Sequence, residues 1–266
     1  MKNVLVTGAS GYIGQNIIKH LEKKGCRTFP EDARMRDFDR MVLGDFKKFD
    51  GVVHLAALSG IAACQNNYEE AVHDNVIYAY DIFERAFDAG IPVVFTSSQA
   101  AKNPGSSTYA SMKRMAELKA QQLNKVGADI KVLRLTNVYG GFEYVRKKKT
   151  VIKRFLVKRA KGDLILIHGD GSQERDFIHV DDVCEFIWLA LSYDGVIDHP
   201  VDIGTGIGTN MRELARMCRH GSAFTDPRNV GEASSVADIT EAKELFGYRA
   251  PNRIQEYLDT DPSLLS

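Results

Sequence analysis

The chain has 266 residues, 44% of them hydrophobic and 26% charged. That composition sustains one large domain, or one plus a small lobe, and excludes disorder as the main state. Lys plus Arg and Asp plus Glu are both 35, a balance that argues against a dedicated nucleic-acid or membrane-surface binder. Cys26, Cys64, Cys184 and Cys218 are scattered with no CxxC pair, which excludes a zinc ribbon or disulfide scaffold and fits a reducing compartment. No metal is expected. No apolar run approaches the roughly 20 residues of a bilayer span, and the run after Asn3 is too short and Gly-interrupted for a secretory leader. The expectation is a soluble cytoplasmic protein.

Val4–Thr7 is a β-branched run ending in Gly8. Tyr12 to Lys24 then has helical periodicity, with Ile13, Ile17, Ile18 and Leu21 on one face, and Gly25 closes it. Cys26–Glu31 is a weaker strand candidate. Val52–Ala57, Pro92–Ser97 and Ile130–Thr136 are apolar runs of strand length, which read as strands buried on both faces of a parallel sheet. The stretches Asn66–Ala89 and Tyr109–Lys125 between them read as long helices. The alternation predicts an α/β fold with a doubly wound parallel sheet. After Gly140 the character changes. A basic run at Arg146–Lys149 leads into a helix to Lys161, followed by a strand at Leu164–Ile167 and a turn at His168–Gly171. Helices near Asp181–Ser192, Met211–Arg219 and Ile239–Phe246 come next. The division expected is a nucleotide-binding domain over residues 1–140, with a strand near 201–204 returning to its sheet, and a small C-terminal lobe over 141–266.

The first strand and helix are joined by Thr7-Gly8-Ala9-Ser10-Gly11-Tyr12-Ile13-Gly14, a GxxGxxG spacing. Glycines there admit positive φ and a close backbone approach to a pyrophosphate, and the helix start offers N–H groups and a positive dipole end. At this junction of a βαβ chain the segment predicts dinucleotide binding, with Gly8, Ser10, Gly11, Tyr12, Ile13 and Gly14 around the phosphates. Asp32, 18 residues after Gly14, is placed for the adenosine ribose hydroxyls and favours NAD. Arg34 and Arg36 keep NADP open, since either can meet a 2′-phosphate. Asp37-Phe38 would form the adenine edge, with Asp45-Phe46 as the rival.

Tyr109 and Lys113 stand at i and i+4, on one helix face. A phenol ionises near pH 10, and a nearby ammonium or a cationic nicotinamide ring lowers that value, so such a Tyr can exchange a proton with a substrate oxygen while hydride moves at the adjacent carbon. Lys113 can also hold the nicotinamide ribose. Ser97-Ser98, at the end of a strand, can supply the hydroxyl that positions the reacting oxygen. The spacing alone is weak, because Tyr144–Lys148 repeats it; the order of Ser pair, Tyr–Lys helix and buried strand favours Tyr109–Lys113.

With these residues in place, the sequence resembles the extended short-chain dehydrogenase/reductase family, in its NAD(P)-dependent nucleotide-sugar epimerase/dehydratase group, over nearly the whole chain. The segments that carry the resemblance are Thr7–Gly14, His54-Leu55-Ala56-Ala57, Asn75-Val76, Ser97-Ser98, Tyr109–Lys113, Asn137-Val138-Tyr139-Gly140, Gly169-Asp170-Gly171, Arg175–Val183 and Ala242–Tyr248. It implies a Rossmann fold with a substrate-binding lobe and a catalytic triad of Ser98, Tyr109 and Lys113. It also implies a cofactor cleft lined by Leu55, Ala56, Ala57, Asn75 and Ser97 and flanked by Tyr109 and Lys113. Substrate contacts would come from Ser98, and from Asn137 and Arg175 at a sugar nucleotide's diphosphate, where an amide and a guanidinium fork suit paired phosphates. A homodimer through Asn66–Ala89 and Tyr109–Lys125 is implied too. His179 is expected to pack structurally, with Asp181 capping the helix that follows.

Departures narrow the reaction. The family's 4,6-dehydratases carry Asp-Glu directly after the catalytic hydroxyl residue; here Gln99-Ala100 follow Ser98, which disfavours dehydration and decarboxylation. Oxidation and reduction at one carbon remain: an epimerase working through a 4-keto intermediate, or, since the chain is short with one βα unit truncated between Arg27 and Asp50, an NAD(P)H-dependent 4-ketosugar or other carbonyl reductase. A non-catalytic dinucleotide-binding regulator is the alternative of another class, disfavoured because Tyr109 and Lys113 are both present. Asp202 stands where the family has Asn.

Overall fold

The structure is a computed structural model and describes residues 2–32, 45–141, 150–226 and 233–259. In chain order the elements are β1 (Asn3–Thr7), α1 (Tyr12–Lys23), β2 (Arg27–Glu31), β3 (Gly51–His54), α2 (Ile61–Asn66), α3 (Tyr68–Val72), α4 (Tyr78–Ala89), β4 (Val93–Ser98), α5 (Thr108–Asn124), β5 (Ile130–Leu135), β6 (Asn137–Tyr139), α6 (Val151–Lys161), β7 (Ile165–His168), β8 (Glu174–His179), α7 (Val180–Ser192), β9 (Val201–Ile203), β10 (Gly208–Asn210), α8 (Met211–Met217), β11 (Ser222–Thr225), β12 (Ser234–Ser235), α9 (Thr240–Phe246) and α10 (Ile254–Asp259).

The chain forms two compact units, one of Met1–Leu135 with Cys184–Asp202, the other of Thr136–Val183 with Ile203–Ser266. The boundary falls at Leu135 and inside α7, so most of that helix belongs to the first unit. The first unit carries a six-stranded sheet in the order β2-β1-β3-β4-β5-β9. The pairings β1–β2, β1–β3, β3–β4 and β4–β5 are parallel. Val4, Val6, Val52, Val53, Val93 and Val94 are fully buried, which is why these strands read as unbroken apolar runs. Among the described residues β2 is the outer edge, in keeping with the shortened stretch between Arg27 and Asp50. The core on one face packs Tyr78, Ile82, Phe83 and Ala86 of α4 and Ala116, Ala120 and Leu123 of α5 onto Val52, Val93, Phe95 and Val132.

The predicted long helix over 66–89 is not continuous. Short helices α2 and α3 precede a π-helical turn, His73–Ile77, before α4 begins. The second unit holds a sheet in the order β10-β8-β12, with β6 also pairing β8, and a parallel β7–β11 pair. Its core gathers Tyr139, Phe155, Ile167, Phe177, Leu214 and Leu258. No helix among the described residues is long and apolar enough to cross a membrane.

Candidate active site

The N-terminal loop leaves no room for side chains at its glycines. Gly8 has φ +68°, and a Cβ there would come within 2.7 Å of the Ala56 nitrogen and 2.9 Å of the Leu55 carbonyl carbon. A Cβ on Gly14 would overlap the Gly8 carbonyl oxygen and reach Ala9 O at 2.7 Å; one on Gly11 would lie 3.0 Å from Gly8 O. The Gly11 N–H donates to Gly8 O at 3.0 Å, closing the turn. α1 starts with Gly11 as a cap that has no side chain to bond, and no acidic residue stands in its first turn, where Tyr12, Ile13 and Gly14 lie. A helix start without a carboxylate favours an anion. Asp32, just past β2, accepts the Ser10 N–H on both oxygens, at 2.8 and 2.9 Å. That ties the end of β2 to the glycine loop and leaves carboxylate lone pairs for ribose hydroxyls. These residues fit a dinucleotide.

The opposite wall follows β3. The Leu55 N–H donates to Thr7 O at 3.2 Å and the Ala56 N–H to Thr7 Oγ1 at 3.3 Å, so Leu55, Ala56 and Ala57 run beside the glycine loop. Beneath them His54 is fully buried, 2.7 Å from Thr7 Oγ1 through Nδ1 and stacked on Phe95. Burial, and then the Lys113 charge, push it down to about 3, so it is a neutral core residue at any working pH. Asn75 sits in the π-helical turn with 1% exposure. Its Nδ2 donates to Leu58 O at 3.1 Å, while its Oδ1 is buried without a partner. Such turns concentrate at functional sites. No periodicity in the sequence marks this one.

Ser98 ends β4 and its Oγ accepts the Ala100 N–H at 3.3 Å. Its hydroxyl lies near the Tyr109 phenol and favours the ionised form of that group. α5 brings Tyr109 and Lys113 to one face, as the i, i+4 spacing requires, and Ser107 caps the helix by accepting the Ala110 N–H. Lys113 is 3% exposed; its Nζ donates to Thr96 O at 3.0 Å and lies 4.7 Å from the Phe95 ring centre. The titration behaviour departs from the sequence expectation. Burial raises Tyr109 to about 12 against the lowering influence of Ser98, and burial lowers Lys113 to about 8. The ammonium is spent on the Thr96 carbonyl, and without a second positive charge the phenol holds its proton.

Ser97 is buried, and its hydroxyl donates to Glu117 Oε1 at 2.7 Å, so a cofactor contact from Ser97 rests on its main chain. Asp37 and Phe38, Arg34 and Arg36, and the Tyr144–Lys148 pair lie outside the described residues. The rival Asp45-Phe46 does not form an adenine edge: Asp45 caps a short 3-10 turn and Phe46 is 4% exposed, edge-on to Phe49 in the core. Gln99 is buried with Nε2 toward Arg134 O at 3.3 Å, so no carboxylate occupies positions 99–100. Asp202 pairs with Lys102, a role its substitution for Asn did not reveal.

The second unit contains a cavity of about 350 Å³ lined by Asn137, Arg154, Lys158, Arg175, His168 and Gln173 over apolar walls that include Phe155, Ile167 and Met211. Asn137 and Arg175, separated by 38 positions, are thus brought to one cavity. Asn137 Nδ2 donates to Asp176 O at 3.2 Å and Arg175 Nη1 to Glu174 O at 2.6 Å. Arg154 and Lys158, one turn apart on α6, add two cations, and among the described residues no acidic one lines the wall. Asp176 beside them is fully buried and accepts from Thr205 Oγ1 at 2.7 Å and from the Thr205 and Gly206 N–H groups at 3.0 Å, fastening β8 to the 205–206 turn. His179 packs edge-on to Tyr139 and Tyr257. The cap expected of Asp181 is made by His179 instead. α7 begins at Val180, so Asp181 lies inside its first turn and donates its N–H to His179 Nδ1 at 3.3 Å.

The fold and the glycine loop are those of a Rossmann-type dinucleotide enzyme. Residues 4–204 match the NAD dependent epimerase/dehydratase family, and the chain belongs to that family, whose cofactor is NAD. The protein named "Putative UDP-glucose 4-epimerase" from Methanocaldococcus jannaschii is 30% identical over 91% of this chain and 92% of its own length. The dTDP-4-dehydro-6-deoxy-D-allose reductase of Streptomyces bikiniensis is 29% identical over 93% of this chain and 91% of its own length. Among solved structures, MoeE5 in complex with UDP-glucuronic acid and NAD is similar with a TM-score of 0.84 and 27% identity, covering 98% of each chain.

Proposed function

We propose that this protein is a nucleotide-sugar epimerase that oxidises and re-reduces one sugar carbon through a 4-keto intermediate, with NAD held by the first unit and the nucleoside diphosphate by the second. The observation that carries the reading is the Ser98 hydroxyl near the Tyr109 phenol, one helical turn from a buried Lys113, with Gln99-Ala100 where elimination chemistry would need a carboxylate. When bound, NAD supplies a hydride acceptor and a positive ring charge. Ser98 orients the substrate hydroxyl. Tyr109 takes its proton as the carbon–hydrogen bond breaks and returns it as the carbonyl is reduced, so no proton is lost to solvent over the cycle. Lys113 holds a positive charge against the phenolate that forms. Asn137 and Arg175 bind the diphosphate, with Arg154 and Lys158 adding attraction for a doubly charged ligand.

The likeness to the Streptomyces reductase supports a second reading, reduction of a 4-ketosugar that enters from solution. The nucleotide released on denaturing purified protein separates the two. Retained NAD, with UDP-glucose turned over in the absence of added cofactor, supports the epimerase. Stoichiometric consumption of NADPH by protein carrying no nucleotide supports the reductase.

We infer a homodimer through the faces of α4 and α5. Met115 and Leu118 on α5 and Ile77 just before α4 are 46%, 50% and 48% exposed, an apolar set on helices otherwise well covered. Met115→Glu is expected to yield monomer in light scattering; an unchanged mass rejects this interface.

A further inference from the structure

We infer that Glu117 is a positioning residue for the Tyr109–Lys113 pair, setting that face of α5 against the end of β4 and holding Lys113 in its charged form. The inference rests on the proton-handling role proposed for the pair.

Glu117 is fully buried, one turn beyond Lys113 and two beyond Tyr109 on α5. Its Oε1 accepts from Ser97 Oγ at 2.7 Å and Arg134 Nε at 2.8 Å; its Oε2 accepts from Arg134 Nη2 at 2.7 Å and Arg114 Nη1 at 3.0 Å. Ser97 and Arg134 are direct cross-strand partners of β4 and β5, and Ser97 adjoins Ser98. One carboxylate therefore fixes the rotation and height of the helix that bears Tyr109 and Lys113 against the strand that ends in Ser98. A buried carboxylate needs only one well-made pair to be tolerated. This one takes donors from three elements, which specifies a geometry more than it stabilises a charge.

The electrostatic half follows from what surrounds Lys113. β4 presents the Thr96 carbonyl and Phe95 ring, the end of β3 presents neutral His54, α2 presents the Cys64 thiol, and α5 itself carries Tyr109 and Glu117. Of these groups Glu117 is the carboxylate. After the Cys64 sulfur, it opposes the burial that lowers Lys113 to about 8, so removing it alone makes the ammonium lose its proton at lower pH.

The test uses protein labelled at lysine side chains, with the Lys113 signal assigned through Lys113→Met and its titration midpoint read by NMR. Glu117→Gln alone leaves Arg134 buried against an amide and can fail to fold. Glu117→Gln with Arg134→Gln removes both charges and supplies the readable variant. A Lys113 midpoint displaced from the wild-type value in the folded double variant, with kcat on UDP-glucose down about tenfold or more and KM little changed, is the expected result. A wild-type midpoint in that folded double variant overturns the inference. Because the midpoint needs no turnover, failure of the pair's proposed role shows separately, in the turnover of Tyr109→Phe.

Discussion

Replacing Tyr109 with Phe removes one oxygen and nothing else from the candidate site. The ring is half-buried and packs against the Cys64, Ala71, Val76 and Met112 cluster, contacts that Phe keeps. The loss is limited to the phenol's polar proximity to Ser98, at most about 1 kcal/mol net for a neutral pair, so the melting temperature moves by only a few degrees. Turnover behaves differently. With the phenol held near 12 in the protein alone, Tyr109 serves as base only when the charges of Lys113 and the cofactor act on it. Loss of a positioned general acid–base costs roughly 10²–10⁴ in rate, or about 3–5 kcal/mol of transition-state stabilisation. The assay compares initial rates of UDP-glucose epimerisation with calorimetric binding of NAD and of UDP. The expected outcome is turnover down at least about a hundredfold with both affinities within a few-fold of wild type. Turnover within tenfold of wild type would refute the assignment of Tyr109 as the proton carrier, and a collapse of NAD affinity would refute the claim that its oxygen acts in chemistry and not in binding.

Gly8→Ala is expected to abolish NAD binding and to destabilise the first unit, because φ is +68° and the new Cβ would press on the Ala56 nitrogen at 2.7 Å; NAD titration and thermal melting check it. Arg175→Gln should weaken UDP binding about 10- to 100-fold, the worth of a charge-assisted fork on phosphate, while leaving NAD affinity unchanged in parallel titrations. His54 predicts acid sensitivity. Its folded pKa is about 3 against an ordinary 6.5, so between those values the unfolded chain binds more protons and stability falls as pH falls, by up to about 1.4 kcal/mol per pH unit from this group. Denaturant midpoints from pH 7 to 4 should show a shallower decline in His54→Leu; equal slopes in the two proteins would count against it.

The parts legible in the sequence were those set by period or by backbone need. Continuous Val and Ile runs gave the parallel strands because both faces are covered, and the GxxGxxG turn announced itself because a Cβ at Gly8 or Gly14 has no room. Tyr109 and Lys113 were readable less from their i, i+4 spacing, which Tyr144–Lys148 shares, than from their place between the Ser97-Ser98 pair and a buried strand. What escaped depends on contacts distant in sequence. The two short strands β6 and β10 follow from pairing with β8, and neither has a pattern of its own at three residues. The π turn at His73–Ile77 inserts an extra residue into a stretch whose periodicity still looks helical. Asp176 read as part of a motif, yet its role is to gather N–H groups some 30 positions away.

Glu117 carries the same lesson into the site. On paper it is a polar residue on a helix of low amphipathic contrast, indistinguishable from the exposed Glu84 or Glu244. In the fold it is fully buried because Arg134, an odd charge within an apolar strand, meets it from β5 while Ser97 meets it from β4. The sequence signal was therefore Arg134. A cation inside a run that reads as buried on both faces demands an anion: Lys131 finds Asp129 just before its own strand, and Arg134 finds Glu117 on the helix packed against it. By the same rule the exposed Lys125, at the end of α5, carries no such demand.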